Sequence, residues 1–134
     1  MSARTCWVVL FGVLACAGCG QKEKSTPELV NDLKGTNEHD RLVAVRTLPD
    51  RKGDAAQVVP ALVEALNDKE PDVRRSAAIG LGNYGEQAKE AIPALEKALT
   101  DSDARVREAA GKALTRIDPA KFPTPPKSSI PKTK

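Results

Sequence analysis

Two aspartate–arginine couples, Asp68 with Arg74 and Asp101 with Arg107, repeat the same six-residue spacing one unit apart. A carboxylate near a guanidinium can tune a proton-transfer site, or it can fix a turn. Proton transfer needs companions that this chain does not offer. His39 is the one histidine, and Cys6, Cys16 and Cys19 all fall within the first nineteen residues. The body therefore holds no thiolate nucleophile and no His or Cys cluster to ligate a metal. Glu70, Asp72, Asp101 and Asp103 precede or open predicted helices, where carboxylates cap backbone N–H groups and offset the helix dipole. Asp68, Arg74, Asp101 and Arg107 are accordingly read as a structural ladder, each couple fixing the turn of its own unit. No catalytic residue, metal or cofactor is expected, and the chain is not expected to be an enzyme.

The elements that position these residues recur at a 33-residue interval. Pro27, Pro60 and Pro93 share one register, as do Leu29, Leu62 and Leu95, then Leu33, Leu66 and Leu99, then Arg41, Arg74 and Arg107, then Leu48, Leu81 and Leu114. Aligned without a gap from Pro60 and from Pro93, the second and third units agree at ten of 22 positions. A short unit repeated in this way cannot bury its apolar face alone, so neighbouring units must stack. Within the second unit Val58, Val59, Leu62, Val63 and Leu66 form a stripe at helical spacing. After the turn Asp68-Lys69-Glu70-Pro71, a second stripe runs through Val73, Ala77 and Leu81. Ile92, Leu95 and Leu99, then Val106, Ala110, Leu114 and Ile117, repeat the design in the third unit. Ser25-Thr26-Pro27-Glu28 reads as a helix start, and Gly82 and Gly85 as a helix stop. Ala77, Ala78 and Gly80, with Ala109, Ala110 and Ala113, allow second helices to approach closely. The fold expected is an all-α solenoid of three helical hairpins over 27–117, divided as 27–59, 60–92 and 93–117.

Proline, then aspartate eight residues on, then arginine six further, resembles the HEAT-repeat family. The segment EQAKEAIPALEKALTDSDARVREAAGKAL is especially similar to the short bacterial branch described as phycobilisome-lyase-like repeats. The resemblance implies an α-solenoid that works through protein partners, since the family is defined by packing. It also raises an enzymatic alternative, a chromophore-lyase-like enzyme or accessory subunit. HEAT-built iron hydroxylases use several His-Glu pairs, whereas His39 is followed by Asp40 with no second copy. The first unit departs from the pattern: Gly35 replaces the aspartate and Asp40 replaces Val73 and Val106, which puts the Asp–Arg pairing there in question.

At the N-terminus, Arg4 precedes an uncharged apolar run from Cys6 to Ala15, too short for a permanent span but of signal-peptide length. With small residues before cysteine, the stretch resembles a bacterial lipoprotein signal over 1–18. Cys19, in Ala17-Gly18-Cys19-Gly20, is the preferred lipidation site and Cys16 the alternative. A secreted or periplasmic soluble protein is the alternative if the signal is simply cleaved. Residues 19–26 then form a short tether, so the folded part would hang within about 25 Å of the bilayer.

Charge narrows the partners. The formal net charge is +3, yet residues 19–117 carry 16 Lys and Arg against 17 Asp and Glu. Only the tail is basic, and a nucleic-acid partner is not expected without a concentrated basic face. Residues 118–134, with five prolines, are expected to be an extended, disordered tail. Lys127, Lys132 and Lys134 offer a third reading, a structural envelope protein whose tail touches anionic lipid or wall polymer. Stacking would align Leu42, Arg75 and Glu108 in one exposed row, and Arg46, Ile79 and Lys112 in the next, with Asn83 and Arg116 beyond. Arg46, Arg75, Ile79, Asn83, Lys112 and Arg116 are the candidate surface for an unknown protein partner. The function expected is a membrane-anchored interaction or scaffold module of the bacterial cell envelope. Cys19→Ala should release the protein from the membrane fraction. Mass spectrometry finding lipid on Cys16 would move the site, and an unmodified mature start would remove the lipid anchor.

Overall fold

Ser25 opens the first helix. Its backbone N–H and its hydroxyl both donate to Glu28 Oε2, at 2.8 and 3.0 Å, and Pro27 lies in the first turn, where its missing N–H costs nothing. In the structure, a computed structural model that describes residues 23–123, α1 spans Thr26–Leu33 and α2 Glu38–Thr47. Then follow α3 (Ala55–Ala65), α4 (Pro71–Tyr84), α5 (Ile92–Ala98) and α6 (Ala104–Ile117), with 3₁₀ turns over Leu48–Asp50, Lys52–Asp54 and Gly85–Ala91. Cys16 and Cys19, the signal, and Lys127, Lys132 and Lys134 lie outside the described residues.

The helices pair as α1/α2, α3/α4 and α5/α6, and the second helices stack in the order α2, α4, α6, with the α4–α6 contact the most extensive. This is the three-hairpin all-α solenoid that the 33-residue interval predicts, with no strand among the described residues. Equivalent residues fill equivalent places. Leu48, Leu81 and Leu114 are fully buried, as are Ala44, Ala77 and Ala110, and Leu29, Leu62 and Leu95 line the other side of the core. Tyr84 stitches the first unit to the second: its hydroxyl lies 3.2 Å from the Leu48 carbonyl and 3.1 Å from that of Arg51. Burial, aided by Asp54 and Asp50, pushes this phenol's pKa up.

The ladder is staggered, contrary to the in-unit pairing expected. Arg41 grips Asp68 of the next unit, Nε to Oδ2 at 2.8 Å and Nη2 to Oδ1 at 3.3 Å. Arg74 grips Asp101 in the same way, both bonds at 2.8 Å. Each arginine turns its remaining nitrogen to its own loop: Arg41 Nη1 donates to the carbonyls of Gly35 and Thr36, and Arg74 Nη1 to those of Asp68 and Lys69. The six-residue separation therefore places a carbonyl, not a carboxylate, beside the guanidinium. Gly35 leaves the contacts of Arg41 intact, because Arg41 needs only its carbonyl and the carboxylate comes from the following layer.

Five further expectations are corrected. Leu99 is 39 % exposed where Leu66 is 6 %, because no fourth unit covers it among the described residues. Leu42 is half-buried against the core and does not share the exposure of Arg75 and Glu108; an apolar chain at the edge of a packed face gains by leaning inward. Gly82 does not stop α4 but lies inside it, where an added Cβ would come within 3.0 Å of Ala113 Cα; Gly85, with φ of +54°, makes the turn. Pro60 sits within α3, which begins at Ala55, so the unit boundary at 59/60 falls inside a helix. Its exposed position lets α3 lose one intrahelical bond without burying an orphan carbonyl. Finally, the first residues of the expected tail fold back. The Phe122 N–H donates to the Asp118 carbonyl, the ring packs against the core, and Lys121 pairs with Glu96 at 3.1 Å.

Leu81→Ala should cost about 2 to 5 kcal/mol in urea unfolding, the range for emptying a core site, and Leu99→Ala about 1 kcal/mol or less. Equal losses would reject this assignment of faces. Acid should also weaken the stack. The Arg74 hydrogen bond, then the Asp103 N–H, hold the Asp101 carboxyl below its usual range, and the Arg105 side chain and N–H draw Asp103 down to about 2. Carboxyls depressed in the folded state stabilise above their unfolded pKa of about 4, and that stability is lost as pH falls through the folded value. Melting temperature should thus be flat from about pH 7 to 5 and fall below about pH 4. Asp101→Asn should lower it at neutral pH and flatten the acid limb; an unchanged acid limb would remove Asp101 from the ladder.

Candidate interaction surface

The second helices carry the candidate surface, and their starts are set by the same aspartates that receive the arginines. Asp68 Oδ1 accepts the Glu70 N–H at 2.9 Å ahead of α4, and Asp101 Oδ1 accepts the Asp103 N–H at 2.9 Å ahead of α6. Asp103 then caps α6 by accepting the Arg105 N–H at 2.7 Å. With both starts fixed, residues 33 apart become neighbours across the layers. Arg105 on α6 reaches Asp72 on α4 at 3.2 Å, and Arg116 Nη1 donates to Asn83 Oδ1 at 3.2 Å.

Between α4 and α6 runs a shallow groove of about 240 Å³, with Gly82, Ala109 and Ala113 on its floor. The small floor residues let the helix backbones close up, so the longer side chains stand as its walls. Arg75, Ile79, Lys112 and Arg116 surround it together with Arg105 and Glu108. Ile79 is 40 % exposed, in the middle layer, where the end of the stack cannot account for it. Glu108 is the carboxylate of this wall. Lys112 bonds it at 2.6 Å and, with Arg75 adding a smaller pull, keeps its pKa low. Among the described residues Arg75 and Arg116 have no carboxylate within ion-pair distance, so the rim is net positive.

Four of the six candidate residues thus gather around one groove. Asn83 joins through Arg116 and also takes a bond from Lys52 Nζ on its carbonyl. Arg46 is exposed on α2 and does not line the groove. Arg107 holds its own loop, donating to the carbonyls of Asp101 and Ser102 at 2.7 and 3.1 Å, and makes no bond to the Asp101 carboxylate. Sequence reasoning missed Arg105. Its column reads His39, Asp72, Arg105, so residue type does not repeat, and only the 33-residue offset between opposite charges marks it. His39 lies exposed at the start of α2, its N–H donated to the Asn37 side chain. Among the described residues no three His, Cys, Asp or Glu side chains cluster as a metal site.

A sequence profile described as HEAT repeats matches residues 26–115. The chain belongs to the HEAT-repeat family. No curated protein matches it in sequence. Among solved structures, this HEAT-repeat chain is similar to the complex of CpcE and CpcF of phycocyanin lyase from Nostoc sp. PCC7120. The TM-score is 0.66 at 26 % identity, over 74 % of this chain and 39 % of that one. An engineered protein matches with a TM-score of 0.59 and 26 % identity, over 70 % of this chain and 45 % of that one. The chain therefore spans less than half the length of either.

Proposed function

We propose that this HEAT-repeat protein is a non-catalytic interaction module of the bacterial cell envelope, tethered through a lipidated Cys19, whose α4–α6 groove binds an acidic protein segment. One observation carries the surface assignment: Ile79 is exposed in the middle layer, flanked by Arg75 and Arg116, which have no carboxylate partner among the described residues. An apolar centre ringed by arginine is the composition that interfaces favour, and a positive rim selects acidic partners and speeds encounter. The likeness to an assembly of two chains supports work through partners. The tether rests on the N-terminal sequence pattern, and no helix among the described residues is long and apolar enough to cross a membrane.

The likeness to a lyase assembly favours a second reading, an accessory subunit of a chromophore lyase, which an assay of bilin transfer would establish. Against it stand the solitary, exposed His39 and the open groove, whose carboxylate, Glu108, is exposed and held by Lys112.

Arg75→Glu combined with Arg116→Gln tests the groove. Neither side chain is buried, so the double variant should melt within about 0.5 kcal/mol of the parent. Capture of an acidic partner from solubilised membranes should fall at least about tenfold, the effect of losing roughly 1.4 kcal/mol of complementary charge. Undiminished capture by the folded variant would overturn the assignment.

A further inference from the structure

The molecule contains its own layer-to-layer interface twice, and then shows one half of it a third time. In both complete copies the arginine opening the second helix clasps two carbonyls of its own loop with Nη1 and extends Nε and Nη2 as a fork onto the next unit's aspartate. The clasp sets the fork's direction before the carboxylate arrives. Arg107 keeps the clasp, to the carbonyls of Asp101 and Ser102, and no described residue brings a carboxylate to its fork. Arg107 is exposed, whereas the Arg41 and Arg74 side chains are 5 % and 12 % exposed. Two residues before the Asp101 carbonyl that Arg107 clasps, Leu99 is 39 % exposed, whereas its counterpart Leu66 is 6 % exposed and lies against Pro93, Ala94 and Ala98 of the next unit. The segment that folds back after α6 anchors on Glu96 and leaves both residues uncovered.

We infer that this end of the stack, formed by Arg107 and Leu99, docks a helical-hairpin repeat of another protein through an aspartate in the turn between its two helices. The two internal copies state what fits: an aspartate for the fork and an apolar hairpin face for the leucine. Two nearer occupants lack the aspartate. A second copy of this chain arriving head to tail would present Gly35 at the required position, and residues 119–134 contain no Asp or Glu. A planar, bidentate pair excluded from water discriminates strongly for carboxylate, and lysine cannot reproduce its two parallel bonds. The site is separate from the α4–α6 groove.

The test places the photoreactive residue p-benzoylphenylalanine at position 99 of the full chain in its host and identifies the cross-linked peptide by mass spectrometry. The expected product joins position 99 to another protein, at an aspartate-bearing turn between two helices. Arg107→Ala and Arg107→Lys should each lower the yield at least tenfold. The lysine variant can still donate to the loop carbonyls, and its melting should match the parent, so its loss of yield reports the fork and not the fold. Arg75→Glu with Arg116→Gln should leave the yield unchanged, which separates this site from the groove. A cross-link to a second copy of this chain, no cross-link at all, or a yield indifferent to both Arg107 variants would overturn the inference.

Discussion

Everything in this fold depends on an arginine that holds two loops at once. Arg41 and Arg74 each bind the carbonyls of their own turn and the carboxylate of the next, and the receiving aspartate also takes the backbone N–H that leads into the following helix. A solvent-exposed ion pair would contribute little, because water and salt screen it and two long side chains must be held still. These pairs are nearly buried, so their desolvation is costly and is offset only because every charged nitrogen finds an oxygen. Their larger effect is on register. The fork accepts a carboxylate at one height, so it fixes how far each hairpin slides along its neighbour before the apolar columns interlock.

That register creates the surface as a by-product of packing. With α4 and α6 held in step, Gly82 meets Ala113 closely, the backbones approach, and side chains too long for the floor stand out along the groove. Opposite charges one unit apart then neutralise each other, as Asp72 and Arg105 do, and whatever charge remains sets the field along the groove. Arg75 and Arg116 remain, around an isoleucine exposed in the middle of the stack. Exposed Val43 and Leu99 have a different origin, since both belong to the outermost layers of the described residues, which no further described layer covers. A chain neutral over its body thus carries two distinct surfaces: a positive groove along its flank and a half-built layer at its end.

Much of this architecture was legible in the residues. The 33-residue columns of leucine, the hydroxyl and proline at the first helix start, and the small residues of the second helices lead from composition to a stacked solenoid, because helix starts and apolar stripes are local properties. What a period cannot state is which layer a side chain reaches into. Asp68 and Arg74 lie close in sequence, yet the guanidinium reaches forward to Asp101, and the near neighbour contributes only its carbonyl. The same ignorance of layers made Leu99 resemble Leu66, made Gly82 read as a stop, and hid Arg105, whose partner is one unit away. Phe122 is a further case: prolines on both sides suggest an extended tail, but an aromatic ring gains more by covering the end of the core than the short fold-back loses in chain entropy. The sequence by itself determined the unit, its helices and the face each helix buries, because those follow from spacing along one chain. Only the tertiary structure decided the pairing, the groove and the open end, because these depend on the offset between layers.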